Sequence, residues 1–313
     1  MRKIIVTADD FGAHPFIDEG IRKAVLAGCV NTVSAFMTFE DPISRISKLL
    51  NDAGKAGVEL NVGIHVSLTA GTPVLFDEAF TLTYEGGKFM EIDQYKYDQV
   101  DPVEVHNEVR AQVSKFRDEL GMPPDHLSCH HGIMYLFPDF FKAYLKIARE
   151  FGIPVRKPVP ISTEYINGFR EIPFFRESMH GRYRIIGNRG TDRVGMKLTR
   201  LTRKSLMTRM NIFLDGFVKC PDYFIDTFYR KGSEKKLLKI LKNLPRDKTS
   251  ELVLHLGEGN YQIDDQERKK YCGIDLDKFP ARRMEFETIV NQYNLKERID
   301  SDPKLKWGSF RDL

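Results

Sequence analysis

Two adjacent acids and four histidines carry the chemical signal in this sequence. Asp9 and Asp10 follow an apolar run, His65 interrupts another, His130 and His131 end a third, and His255 lies near the end of a late one. Carboxylates side by side repel unless a cation or a hydrogen-bond donor compensates. Two imidazoles plus one carboxylate form a three-donor set that leaves coordination positions open for water and substrate. A neighbouring aspartate can then stay unligated and take a proton, while the open metal acidifies bound water and polarises a carbonyl. That is equipment for hydrolysing an amide or ester, or for moving a phosphoryl group. Singly, each residue has a plainer reading. An Asp after a strand caps a turn or helix, and a His inside an apolar strand is a hydrogen-bonded core residue. Their joint placement at strand ends favours a metal site.

Other chemistries find no support. There is no GxSxG elbow for a serine nucleophile. No GxGxxG or GxxxxGK[ST] follows a strand, so neither a dinucleotide site nor a phosphate-binding loop is indicated.

The elements that must position these residues alternate between two periods. Strands are expected at Lys3–Thr7, Thr32–Phe39, Val62–Leu68, His126–His130, Ile153–Arg156, Tyr223–Ile225 and Glu251–Leu256. Helices are expected at Ile17–Ala27, from Asp41-Pro42 through Leu50, from Asp101-Pro102 through Leu120, and at Pro138–Phe151, Ser233–Leu244 and Pro280–Tyr293. Strand and helix alternate every 30 to 40 residues or so, the pattern of a parallel sheet or barrel. In such folds the carboxyl ends of the strands form the reactive face. Residues 70–100 lack clean periodicity and read as an excursion with a hairpin around Tyr84–Phe89.

The chain has 313 residues, which allows two ordinary domains or one large barrel. The alternation runs nearly end to end and favours one α/β barrel domain over 1–313, with insertions near 70–100 and 158–220. With 42% hydrophobic and 29% charged residues, disordered and fibrous classes are excluded. No apolar run approaches the length that spans a bilayer, so no membrane is expected. The start, MRKIIVTADD, does not read as a signal peptide. Cys29, Cys129, Cys220 and Cys272 are scattered without a CxxC pair, so a reducing cytoplasm is expected. Arg182 to Arg209 holds nine Lys/Arg and one Asp, a local net of +8 in a chain of +4. This stretch reads as a basic helical insert. Its single aromatic, Tyr183, gives no stacking platform, so nucleic acid is not an expected partner. A homodimer is the default assembly.

Five segments resemble a known family. Thr7-Ala8-Asp9-Asp10-Phe11-Gly12 is similar to the N-terminal signature of the YdjC-like carbohydrate deacetylases, the family of chitooligosaccharide deacetylase. Gly63-Ile64-His65-Val66-Ser67-Leu68-Thr69, with Gly71 and Pro73 beyond, resembles its second motif. His126 to His131, with Phe137-Pro138 beyond, resembles its third. Glu251 to His255 resembles its late histidine motif, and Gly308-Ser309-Phe310-Arg311-Asp312 its C-terminal end. The resemblance implies a distorted (β/α) barrel of TIM type. It implies a divalent metal, usually taken as Mg²⁺ with Zn²⁺ or another transition ion as the alternative. It also implies removal of an N-acetyl group from a small amino sugar or acetylated oligosaccharide. Carried over by residue, Asp10, His65 and His130 would be the metal ligands. Asp9 would be the general base, and His255 would protonate the leaving amine or stabilise the oxyanion.

Two segments depart from the family pattern. The third motif usually reads Asp-Ser-His-x-His, and here it is Ser128-Cys129-His130-His131-Gly132. The late motif usually continues His-Pro, and here it is His255-Leu256. Cys129 reads as a small buried residue. Two other functions compete with deacetylation: a non-catalytic barrel that holds an anionic partner on the basic insert, and a metal-dependent phosphoesterase.

Overall fold

The computed structural model describes residues 1–84, 86–92, 94–95, 99–135, 138–156, 218–225, 228 and 232–313. The basic stretch 182–209 and most of the insertion at 158–220 lie outside the described residues.

Ile4, Ile5 and Val6 are fully buried, as expected for a strand covered on both faces. They belong to β1 (Arg2–Phe11), the centre of a parallel sheet. The other strands are β2 (Thr32–Ala35), β3 (Asn61–Val66), β4 (Leu127–Cys129), β5 (Tyr223–Ile225), β6 (Thr249–Leu254) and β7 (Leu305–Trp307). Their order is β4-β3-β2-β1-β6-β5, with every pair parallel. β7 pairs with Arg2 to Ile4 of β1, whereas β2 pairs with its later half. The expected strand at Ile153–Arg156 shrinks to a single parallel bridge between Val155 and Leu127. Val155 N–H also donates to Lys219 O, 2.8 Å away, so this segment curls the sheet's free edge toward the chain that enters β5. The fold is α/β, a curled parallel sheet with helices against it.

Helices α1 (Pro15–Leu26), α2 (Pro42–Lys55), α3 (Pro102–Leu120) and α4 (Pro138–Phe151) fall where proline opens the first turn. α1 buries Phe16, Ile17, Gly20, Ile21, Ala24 and Val25, the stripe its spacing predicts. Later come α5 (Glu234–Asn243), α6 (Asp265–Lys270), α7 (Phe279–Phe286) and α8 (Leu295–Ser301). The single helix expected at Pro280–Tyr293 is α7 running into a π-helical turn, Glu287–Gln292. No described helix is long and apolar enough to cross a membrane.

The 70–100 excursion is pinned from beneath by α3. Buried Glu108 accepts from Val74 N–H at 3.0 Å and Leu75 N–H at 2.9 Å, and Gln112 exchanges hydrogen bonds with the Ser67 backbone. The hairpin is present as an antiparallel bridge, Thr83 to Phe89.

Candidate active site

Asp9 and Asp10 are consecutive, and consecutive strand residues face opposite sides of a sheet. A bulge resolves this. Ala8 pairs with Val33 but Phe11 with Ala35, so β1 spends two residues where β2 spends one. Asp10 takes φ 72°, a left-handed conformation that aspartate tolerates better than most side chains. Both carboxylates then turn to the interior, where Asp9 is 3% and Asp10 1% exposed.

Asp10 Oδ1 lies 3.2 Å from His65 Nε2 and 3.1 Å from His130 Nδ1. One donor atom from each of the three residues falls within 4.8 Å of the others. Phe36 sets the pitch of both imidazoles, with its ring edge-on at 5.1 Å to His65 and 5.0 Å to His130. Asp10 Oδ2 accepts from Arg282 at 2.5 Å. Burial raises the Asp10 carboxyl, but Arg282 and His130 outweigh it and hold it well below the usual carboxylate range.

The donor atoms fit a cation. His130 Nε2 lies 3.1 Å from Gly273 O, and a carbonyl can only accept, so Nε2 carries the proton. Burial pushes the His130 pKa down, with Asp10 opposing it. Its Nδ1 faces Asp10 Oδ1, the same carboxylate oxygen that His65 Nε2 faces, so the three atoms point at one another. Gly273 itself is required here. It has φ 84°, and a Cβ would collide with Thr69 O and Ala70. Three buried carboxylates, Asp9, Asp10 and Glu251, face two buried guanidiniums, Arg156 and Arg282. The carboxylates outnumber the guanidiniums, an excess of acceptors that a cation would balance.

Asp9 belongs to a separate network. Both its oxygens accept from Arg156, at 2.6 and 2.7 Å. Arg156 also donates to Glu251 at 2.8 and 3.0 Å and lies over the Phe224 ring. Burial raises the Asp9 carboxyl, yet Arg156, His65 and His255 together hold it well below the ordinary range.

His255 falls just past β6, where its N–H donates to Glu285 at 2.9 Å. Burial pushes its pKa down to about 4, with Arg282 adding to the effect and Asp10 and Asp9 opposing it. His255 thus lies within electrostatic reach of the cluster without joining its three donors. His131 also stays outside them. Its ring lies 3.9 Å from that of His130, tilted by 32°, and its Nδ1 is 3.1 Å from Thr69 Oγ1.

Arg156, Ser128, Arg282 and Glu285 contact the candidate residues directly, and Glu251 reaches Asp9 through Arg156; none of the five is among the residues that the sequence pattern points to. Arg156 ends an expected strand, which was a usable signal. Arg282 and Glu285 stand one turn apart on α7, and nothing in their local sequence points to a site.

A curled parallel sheet with a carboxylate–imidazole cluster at the carboxyl ends of its strands defines an α/β-barrel protein with a candidate metal centre. The model of the YdjC-like protein family matches residues 3–293, and the chain belongs to that family. It is 31% identical over 157 residues to the carbohydrate deacetylase of Oceanobacillus iheyensis, covering 49% of this chain and 64% of that protein. It is 33% identical over 156 residues to the chitooligosaccharide deacetylase of Citrobacter koseri, covering 50% of this chain and 59% of that one. The matched part thus spans less than two thirds of either relative. A crystal structure from Enterococcus faecalis V583, described provisionally as a cellobiose-phosphate cleavage protein, has the same fold. Its TM-score is 0.70 at 21% identity, over 99% of this chain and 98% of that one.

Proposed function

We propose that the chain is a metal-dependent carbohydrate deacetylase, removing acetyl groups from an N-acetylated amino sugar or short oligosaccharide. The observation that carries this reading is the convergence of Asp10, His65 and His130 with a second ionised carboxylate, Asp9, beside them. The deacetylases among its relatives support the substrate class. Asp10 Oδ1, His65 Nε2 and His130 Nδ1 are the atoms that would hold the ion. A divalent cation there supplies Lewis acidity, which acidifies water and polarises the acetamide carbonyl.

Asp9 accepts the proton of the attacking water. Arg156 fixes the plane of its carboxylate and keeps it ionised, so it is a weak but always available base. Water oxygen bonds to the acetamide carbon, the C–N bond breaks, and acetate and the free amine leave. In this reading His255 relays a proton to the departing nitrogen or hydrogen-bonds the oxyanion. The resemblance implies Mg²⁺, but two imidazoles and one carboxylate suit Zn²⁺ or a similar transition ion better. A two-metal phosphoesterase is less well supported, because only one such donor group occurs among the described residues.

The test is acetate release from N-acetylglucosamine and its oligomers with Mg²⁺, Zn²⁺, Co²⁺ or Mn²⁺ added. Asp9→Asn is expected to lower the rate about 10²–10⁴-fold with metal content unchanged. His65→Ala and His130→Ala are each expected to lose the metal. Full activity in Asp9→Asn, or full metal content in both histidine variants, would overturn the assignment.

A further inference from the structure

Lysines on α1, α4 and α8 sit within a turn of an acid that pairs with them: Lys23 with Glu19, Lys142 with Asp139 and Lys296 with Asp300. α5 breaks that pattern. Its sequence, EKKLLKILKN, holds one acid, Glu234, in the first turn where the helix dipole favours it. Lys235, Lys239 and Lys242 recur at i, i+4 and i+7, so they share one face, and all three are exposed. Exposed Arg246, just past the helix, continues the line. Among the described residues no carboxylate pairs with any of the three lysines. Like charges three and four positions apart weaken a helix. The core gains nothing from them, since Leu237, Ile240 and Leu241 pack from the other side. Leu238 stands among the lysines and, at 39%, is the most exposed leucine of the described residues.

α5 links the parallel strands β5 and β6, so it runs back along the flank of the sheet at its β5 edge. Gly232, before the helix, abuts Glu285, whose carboxylate takes the His255 N–H. Beyond the helix, Asp247 N–H donates to Met1 O at 2.6 Å. The cationic stripe thus runs from the rim that holds the candidate site to the opposite end of the sheet.

We propose that this face docks on an anionic lipid surface. Lysine is a flexible point charge, which suits a diffuse field of phosphates rather than one paired acceptor. Four cations on one face match the clusters that bind anionic headgroups. Leu238 enters the headgroup layer between them, whereas on a nucleic-acid backbone it would meet phosphates. No aromatic side chain on α5 offers a base a stacking surface. The lack of a membrane-spanning helix does not bear on contact through a charged face.

Sedimentation of the full chain with vesicles tests this, using phosphatidylcholine alone or mixed with phosphatidylglycerol. The protein is expected to pellet with the mixed vesicles only, and to be released at about 1 M salt, where screening is nearly complete. Lys239→Gln combined with Lys242→Gln is expected to weaken partition about 30-fold, the factor two surface lysines supply. Leu238→Ser, at unchanged charge, is expected to weaken it about 3–10-fold. The lysine variant should unfold at a urea midpoint equal to or above that of wild type, since it relieves repulsion within the helix. Acetate release from soluble N-acetylglucosamine oligomers should be unchanged in it, so this result stands apart from the deacetylase reading. Wild type that stays in the supernatant with the mixed vesicles, or a lysine variant that pellets as wild type does, overturns the proposal. Tighter binding to double-stranded DNA than to the mixed vesicles would assign the face to nucleic acid and overturns it as well.

Discussion

Asp9 and Asp10 are neighbours in sequence yet belong to different charge networks, a separation that the proposed roles of ligand and base require. Arg282 takes one oxygen of Asp10 and leaves the other for the histidines, whereas Arg156 takes both oxygens of Asp9. His255 stands near both networks as a half-buried imidazole whose pKa has fallen to about 4. An unfolded histidine titrates near about 6.5. Between those values the unfolded chain holds the proton more readily than the folded one. Stability is therefore full above pH ~6.5 and lost progressively as pH falls toward ~4. The ring keeps some hydration, so the size is about 1–2 kcal/mol rather than the full value of the shift. Urea unfolding of the chelated protein at pH 7 and pH 5 measures it. His255→Gln should flatten the difference between the two midpoints, and an unchanged difference would mean that other groups set the slope.

At the scale of elements, the strand ends were legible because parallel strands combine two local signals: a continuous apolar run and a polar residue at its carboxyl end. Asp9, His130 and His255 carry both signals, whereas His65 falls inside its apolar run. Arg156 carries them too, at the end of Ile153–Arg156, but an arginine has no lone pair to offer a metal or a proton. The bulge in β1 left no trace in the sequence, since it is a register offset against β2. α6, α8 and β7 are short and mostly exposed, so neither period had room to build up. Arg282 reaches Asp10 across 272 positions, a pairing only the packed α7 creates. One helix contact also has consequences for the site. Gly20 of α1 meets the backbone of Gly257, two residues past His255, and a Cβ on Gly20 would lie 2.5 Å from Gly257 Cα. Gly20→Ala gains about 1 kcal/mol in helix propensity but forces backbone apart at an overpacking cost of about 1–3 kcal/mol. The expected outcome is a lower urea midpoint and a lower kcat with unchanged zinc affinity. A stabilised variant of full activity would show that the two segments separate easily.

Across the whole molecule, the two ends of the curled sheet do different work. The carboxyl ends of the strands gather the proposed ligands, and the amino ends are sealed by residues 308–312. Gly308 N–H donates to Ile4 O, and Ser309 with Asp312 forms a capping box that fixes the final turn. Phe310, fully buried, stacks on His126 at 4.3 Å and 12°. His126 in turn reaches Ser34 at 2.8 Å, and Arg311 lies 3.3 Å from Asp125. The C-terminal motif that resembles the family's thus belongs to the base of the sheet. Phe310→Ala should remove a stacked, close-packed ring and cost about 3–5 kcal/mol in unfolding free energy. His126 lies a layer below Ser128 on the same segment, so the substitution asks whether the layers are coupled. If the base only seals the sheet, the variant will bind zinc as wild type does at temperatures where it is folded, and acetate release there will stay within about twofold. Loss of zinc affinity in the folded variant would mean that the His126 layer helps hold Ser128 and His65 in register. The base of the sheet would then be part of the site.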